Sequence, residues 1–281
     1  MHPKHLLTQY QLEPKKSLGQ NFLFDENVLA RLVEAADLGA DDEVLEIGPG
    51  LGALTRLLAQ QARRVVAVEL DDRFLSILQT ELADFTNVEL IHGDILAQEP
   101  GRLFSRPYKV IANLPYYITG AILRHLLEAA HKPTLLVLTV QKEVAERLTA
   151  VPPNMSLLSV SAQFYGRTQT ITTIKAGAFW PRPEVDSAVV RLALYDAAER
   201  PLPLAEEAAF FRLVKAGFSQ KRKQLQNNLQ QLGMKKEEVL GVLERVGIDG
   251  RRRAETLSLP EWIKLYVHLP IVSLRSTNHP S

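Results

Sequence analysis

The sequence predicts an α/β chain, with a doubly wound, largely parallel sheet followed by a small all-helical C-terminal domain. Three observations predict it. Strand-like apolar runs alternate with amphipathic helical runs from about Asn27 to Leu148. The strand runs are rich in Val, Ile and Leu on both faces, as parallel strands covered by helices should be. Beyond a break that carries two prolines, "DAAERPLPLAEE" (Asp196–Glu207), the pattern is helical.

Five runs read as strands in order: Glu43–Gly48, Arg64–Leu70, Val88–Asp94, Tyr108–Leu114 and Thr134–Gln141. Helical patterns lie between them at Leu51–Gln61, Asp71–Ala83 and Gly120–Ala130. Strand–helix alternation of this kind implies parallel strands joined by crossovers. "LSVSAQFYG" (Leu158–Gly166) and "SAVVRLALY" (Ser187–Tyr195) read as two further strands. Helices are expected at Ala205–Ala216, Arg222–Leu232, Lys236–Val246 and Pro260–Val267, and "SLRSTNHPS" at the end reads as frayed. The expected domains are residues 1–200 and 201–281.

The 281 residues are 46% hydrophobic and 23% charged, ordinary for a soluble globular protein. No apolar run approaches the roughly 18 residues of a membrane span, and the N-terminus lacks the apolar core of a signal peptide. There is no cysteine, which excludes disulfides, thiolate metal sites and cysteine nucleophiles. A cytoplasmic protein with no membrane association and no metal site is expected. The net charge of +1 is unevenly spread: Arg200–Ser281 carries 14 Lys+Arg against 8 Asp+Glu, leaving 19 against 24 elsewhere. A basic tail region is either a solvated surface or a face for a polyanion.

Three motifs sit at successive strand ends. "VLEIGPGLGALT" (Val44–Thr55) follows a buried strand and opens a helix, and Gly48, Gly50 and Gly52 allow a tight turn with close ligand approach. The same loop would tolerate a dinucleotide or serve as a structural turn. Glu69 ends the second strand, where a carboxylate can accept from both hydroxyls of a ribose or simply meet solvent. Asp94 ends the third, where it can accept from an adenine amino group or cap the next helix. Together the three describe an adenosyl pocket at the carboxyl edge of the sheet, and the combination resembles S-adenosylmethionine-dependent methyltransferases.

A fourth motif, "NLPYY" (Asn113–Tyr117), ends the fourth strand, because proline cannot donate to a ladder. A base amino group is a poor nucleophile, since its lone pair is delocalised into the ring. Acceptors that favour a pyramidal nitrogen help, and the amide oxygen of Asn113 and the carbonyl of Leu114 are suitable. Pro115 restricts the residue before it. Tyr116 can stack on the base, a contact worth roughly 1–3 kcal/mol. No charged base is needed, because the amine can lose its proton to water. The plainer alternative is an Asn-Pro turn with a core tyrosine.

On these motifs, with "KKSLGQNFL" (Lys15–Leu23), "FWPRPEVDSAVV" (Phe179–Val190) and "FSQKRKQLQNNL" (Phe218–Leu229), the chain resembles the small-subunit (16S) ribosomal RNA adenine N6,N6-dimethyltransferases from about Lys15 to Leu269. Erythromycin-resistance methylases and mitochondrial transcription factor B are relatives of that family. The resemblance implies a Rossmann-like S-adenosylmethionine-dependent methyltransferase sheet with a helical RNA-binding domain. It implies that Asn21 and Leu23 contact the donor S-adenosyl-L-methionine, Gly48 its methionine part, Glu69 its ribose and Asp94 its adenine. Asn113 would hold donor and target amine, and Tyr116 and Phe179 would sandwich the flipped base. Tyr117 is peripheral on this reading. Lys221, Arg222 and Lys223, with Arg251–Arg253, are candidate phosphate contacts.

The implied reaction places two methyl groups on each of two adjacent adenosines in the 3′-terminal hairpin of 16S rRNA. The substrate would be an immature small ribosomal subunit, and the enzyme is expected to act as a monomer. One alternative is a 23S rRNA adenine methylase of the erythromycin-resistance type. Another is a ribosome-assembly or transcription factor that retains the fold without needing catalysis. A nicotinamide-dependent dehydrogenase is the weakest rival, since no hydride-transfer site is evident.

Overall fold

The structure, a computed structural model, describes residues 2–270; the expected fraying of Ser273–Ser281 lies outside the described residues. The chain divides into two compact units. One runs to Ala145 and resumes over Arg167–Leu194; the other comprises Glu146–Gly166 and the described residues from Tyr195 onward. The division differs from the expected one at residue 200 chiefly because Glu146–Gly166 groups with the C-terminal helices. No helix among the described residues is long and apolar enough to cross a membrane.

Among the described residues the nine strands are β1 (Phe22–Leu23), β2 (Glu43–Ile47), β3 (Arg64–Glu69), β4 (Val88–His92), β5 (Tyr108–Asn113), β6 (Leu135–Gln141), β7 (Gly166–Ile174), β8 (Phe179–Trp180) and β9 (Ser187–Leu194). Seven form one sheet in the order β4-β3-β2-β5-β6-β9-β7. The pairings of β2 with β3, β3 with β4, β2 with β5 and β5 with β6 are parallel. β9 runs antiparallel to β6. Central positions such as Val44, Leu45, Val65, Val66, Val110 and Ile111 are fully buried, as strands covered on both faces require.

This order makes a crevice. From β2 the chain winds outward through β3 and β4, then returns to the other side of β2 for β5. Ligands of open α/β sheets bind at such a reversal, outside the carboxyl ends of the strands. The register lines those ends up: Ile47 pairs with Val68, Glu69 with His92, and Asn113 with Thr139. Residues just beyond each pair therefore share one edge.

Two expectations need correction. Leu158–Gly166 is not a strand; Leu157–Tyr165 is an α-helix. Its start is fixed by a reciprocal cap, in which Ser159 N–H donates to Ser156 Oγ (3.2 Å) and Ser156 N–H donates to Ser159 Oγ (2.6 Å). The apolar side then packs on the helix Glu207–Phe218, with the rings of Phe164 and Phe210 stacked at 4.8 Å. A short run of Leu, Val and aromatics satisfies both periods, and the cap decides between them. The seventh strand is instead β7, "GRTQTITTI", whose threonines and half-buried pattern hid it.

In the second unit the loop holding Lys221, Arg222 and Lys223 is pinned from beneath by the buried Asn228. Its Nδ2 donates to the carbonyls of Gly217 (2.6 Å) and Gln220 (3.1 Å). Leu225 N–H and Gln226 N–H donate to the carbonyls of Arg252 and Gly250, so the two basic segments lie side by side.

Candidate active site

A cleft open to solvent lies at the carboxyl edge of the sheet within the first unit. Asn21, Leu23, Gly48, Glu69, Asp94, Asn113, Leu114 and Tyr116 all line it. Gly48, Glu69, Asp94, Asn113, Leu114 and Tyr116 converge because each ends, or soon follows, a strand of one edge, while Asn21 and Leu23 reach the cleft from β1 and the residue before it.

The glycine loop after β2 turns through positive φ at Gly48 (69°), Gly50 (58°) and Gly52 (80°). At Gly48 a side chain would meet nothing within 4 Å, so its position faces open cleft. At Gly50 a side chain would press on the Phe22 ring at 3.1 Å, so glycine lets β1 close over the loop. Gly50 N–H donates to Glu69 Oε2 (3.0 Å), and Asp71 N–H donates to Glu69 Oε1 (2.8 Å). These bonds fix the Glu69 carboxylate while leaving one further lone pair on each oxygen. Burial raises its pKa, and the two backbone donors oppose that rise. Asp94 performs its plainer role as well: Oδ1 caps the turn Ile95–Ala97 by accepting from Leu96 N–H (2.9 Å), and Oδ2 stays available.

Asn113 ends β5 with its amide oriented by a distant segment. Its Nδ2 donates to the carbonyl of Asn21 (3.0 Å). The amide oxygen is thereby left as an acceptor. Leu114 N–H donates to Thr139 O (3.2 Å), while among the described residues no hydrogen bond reaches the Leu114 carbonyl. Two successive cleft-lining residues therefore each keep an acceptor oxygen uncommitted among the described residues. Tyr116 lies in the turn Tyr116–Ile118, its hydroxyl paired with Ser187 Oγ at 2.5 Å. Ser187 is fully buried at the start of β9, so the phenol is tethered and only the ring is left to meet a ligand. Tyr117 is 57% exposed at the cleft mouth, against Gly19 and Pro115.

Phe179 departs from expectation. It is 2% exposed and packs in the core with Leu29, Ala178 and Val189. β8 pairs antiparallel with β1, placing Phe179 opposite Leu23 and Trp180 opposite Phe22. The ring does not line the cleft; it supports the strand that does. Arg252 departs too: it is held by Glu261 (2.5 Å) and the Thr256 carbonyl, and so is structural. Arg251 pairs with Asp249 and Arg253 with Glu255, whereas Lys221, Arg222 and Lys223 are exposed without ion pairs among the described residues.

The sequence reading missed four contributors. Ser187 and Phe22 sit inside quoted motifs but had no assigned task. Asp71, fully buried at its side chain, accepts from Lys15 Nζ (3.2 Å) and Gln20 Nε2 (2.8 Å). Glu46 also lines the cleft, is 2% exposed, and has an Oε2 with no hydrogen-bond partner among the described residues. Its signal was a charged residue at an inner position of β2, between the apolar Leu45 and Ile47.

Burial pushes the Glu46 carboxyl up to about 8 from an ordinary 4.5, with the Thr55 hydroxyl opposing and the Glu69 carboxylate adding. Between those values the folded state holds a proton that the unfolded chain has released. Stability therefore falls as pH rises through this window. Glu46→Gln removes that slope. In denaturant unfolding from about pH 5 to about pH 9, the variant gains on the parent as pH rises; parallel profiles would contradict the assignment.

The comparisons agree with this geometry. The family model described as "Ribosomal RNA adenine dimethylase" matches residues 11–266. The chain is 47% identical over 262 residues to "Ribosomal RNA small subunit methyltransferase A" of Dehalococcoides mccartyi, covering 92% of this chain and 89% of that one. It is 43% identical to the protein of the same name from Bacillus mycoides, covering 93% of each. Among solved structures it resembles the 23S rRNA methyltransferase ErmE (TM-score 0.75, 31% identity, 89% of this chain and 99% of that one). A dimethyladenosine transferase from Plasmodium falciparum matches with TM-score 0.75 and 25% identity, over 87% of this chain and 95% of that one. With its glycine loop, its strand-end acids and "NLPY" meeting in one cleft, the chain belongs to the ribosomal RNA adenine dimethylase family.

Proposed function

We propose that this protein dimethylates N6 of two adjacent adenosines in the 3′-terminal hairpin of 16S rRNA during small-subunit biogenesis, using S-adenosyl-L-methionine. The observation that carries the reading is the pair of acceptors at the end of β5, with Asn113 Nδ2 already committed to Asn21 O. The relatives at 43–47% identity bear a small-subunit name over 92–93% of this chain, which favours the small-subunit substrate over the large-subunit alternative.

The residues fit the donor. The open space at Gly48, the fixed Glu69 carboxylate, the free oxygen of Asp94 and the orphaned Glu46 oxygen form a cradle with acceptors for hydroxyls and amines. Asn21, Leu23, Gly48, Glu69, Asp94 and Asn113 would hold it. When bound, the donor supplies an activated methyl group. The chain's own work is positional. Asn113 Oδ1 and the Leu114 carbonyl accept from the amine and favour a pyramidal nitrogen, and Tyr116 stacks on the extruded base. Burial raises the pKa of the Tyr116 phenol, although its bond to Ser187 opposes the rise. The amine's proton leaves to water. Lys221, Arg222 and Lys223 contact phosphates, a role that positions RNA without reading sequence.

The test is nucleoside mass spectrometry of both ribosomal subunits, taken from cells lacking the protein and incubated with it and the donor. Dimethyladenosine should appear in small-subunit rRNA only; product confined to the large subunit would establish the alternative. Asn113→Ala should lose most transfer, by about 10²-fold or more, even at donor concentrations that saturate the variant. Unchanged dimethylation would sink the mechanism. Tyr116→Ala should lower kcat/KM by about 5- to 150-fold, matching ~1–3 kcal/mol of stacking. Tyr116→Phe keeps the ring face and should stay within about tenfold. Equal damage from both would assign the effect to the hydroxyl.

A further inference from the structure

The cleft is roofed by an extended strap, residues 13–21, whose hold on the molecule is sparse. Its only regular element is the turn Lys16–Leu18, and Leu18, Gly19, Gln20 and Asn21 line the cleft. Among the described residues the strap makes four hydrogen bonds to the rest of its unit. Lys15 Nζ and Gln20 Nε2 both donate to the Asp71 carboxylate, at 3.2 and 2.8 Å. Arg73 Nη1 donates to Glu13 O at 3.3 Å, and Asn113 Nδ2 donates to Asn21 O at 3.0 Å. The strap is therefore tied at three points: the Asp71 carboxylate and the Arg73 guanidinium just after β3, and the Asn113 amide at the end of β5.

Asp71 is built for the first of these ties. Its carboxylate is fully buried, while Lys15 and Arg73 are 43% and 27% exposed at their side chains. Arg73 grips both oxygens from below, Nε to Oδ1 at 2.8 Å and Nη2 to Oδ2 at 2.6 Å. That leaves the other lone pairs for the strap, one for Lys15 and one for Gln20. Gln20 in turn accepts from Lys15 N–H at 2.6 Å, so the two strap donors are braced against each other. Arg73 first, then Gln20 and Lys15, hold the Asp71 carboxyl well below the usual carboxylate range, with burial opposing. The same residue's backbone N–H donates to Glu69 Oε1. A turn cap alone would need none of the strap contacts.

We propose that Asp71 is a positioning residue: its carboxylate latches the strap over the cleft, and the strap, through the Asn21 carbonyl, sets the orientation of the Asn113 amide. Asp71 touches neither ligand in this assignment. It acts on the donor by keeping Leu18–Asn21 in place, and on the target by fixing which atom of Asn113 is free to accept. Two of the four bonds that hold the strap are thus charge-assisted and converge on one buried carboxylate, so losing that carboxylate weakens both at once. The proposal rests on the donor occupying this cleft, as argued above.

Two variants test it in the full-length protein. Asp71→Asn keeps the size and removes the charge. Gln20→Ala removes one strap donor and leaves the buried Asp71–Arg73 pair intact, so it folds even where the first does not. The readouts are peptide-resolved hydrogen exchange across residues 13–21 and the Kd of S-adenosyl-L-methionine by calorimetry. Neither depends on rRNA. The expected result is faster exchange confined to the strap in both variants. Kd should rise about tenfold for Asp71→Asn, as it would if the closed strap were populated a tenth of the time, and less for Gln20→Ala. The double variant should be no worse than Asp71→Asn alone, because both act through one latch. Unchanged strap exchange and Kd in folded Gln20→Ala, or exchange rising equally across β2 to β6, would overturn the latch. Failure of the parent protein to bind the donor would instead overturn the proposed function.

Discussion

The constraint on which the rest depends is a single amide placed at the end of a buried strand. On the proposed function Asn113 presents oxygen, not nitrogen, to an incoming amine, and an isolated asparagine side chain has no reason to prefer one. The hydrogen bond from Nδ2 to Asn21 O removes that freedom. Everything needed to keep the bond in place follows from it. Proline two residues later stops β5 at the cleft, the parallel register brings β5 level with Glu69 and the glycine loop, and a segment from the far N-terminal end of the chain supplies the acceptor.

The same economy explains the second sheet. β1 and β8 are only two residues each, too short to be stable alone. Their pairing joins "GQNFL" to "FWPRP", so two motifs distant in sequence share one local structure. Phe179 and Leu23 face each other there, and Phe22 covers Gly50. Seven residues on, Asp186 anchors the returning loop by accepting from Lys175 Nζ (2.9 Å) and Ala176 N–H (3.0 Å). That places Ser187 to hold the Tyr116 hydroxyl. Aromatic positioning in the cleft is thus controlled from a strand that never reaches it.

Much of this was legible in the sequence. Five parallel strands and the order of the strand-end acids follow from apolar runs punctuated by Gly, Glu, Asp and Asn, because burial on both faces leaves few alternatives. β7 was not legible, since its threonines and exposed positions carry no apolar run, and Leu157–Tyr165 was misassigned because a reciprocal serine cap outweighed β propensity. Within the site, the residues expected to meet the donor, which their own chemistry or motif singles out, line the cleft. Those that act through another residue could not be named: Ser187, Asp71 and Gln20 acquire their roles only when the fold brings them to Tyr116 and to the strap. Phe179 shows the converse. Its motif was visible, but only the pairing of β8 with β1 reveals that its ring supports the cleft from within the core.

The central claim is that Asn113 is oriented before any substrate arrives. Nitrogen-15 NMR of the free protein addresses it through the two side-chain amide protons of Asn113. The account predicts that one of them exchanges slowly with solvent and is shifted downfield, with a through-bond coupling to the Asn21 carbonyl carbon. Two amide protons that exchange equally fast, with no such coupling, would mean that the amide turns freely and that the strap does not set the acceptor.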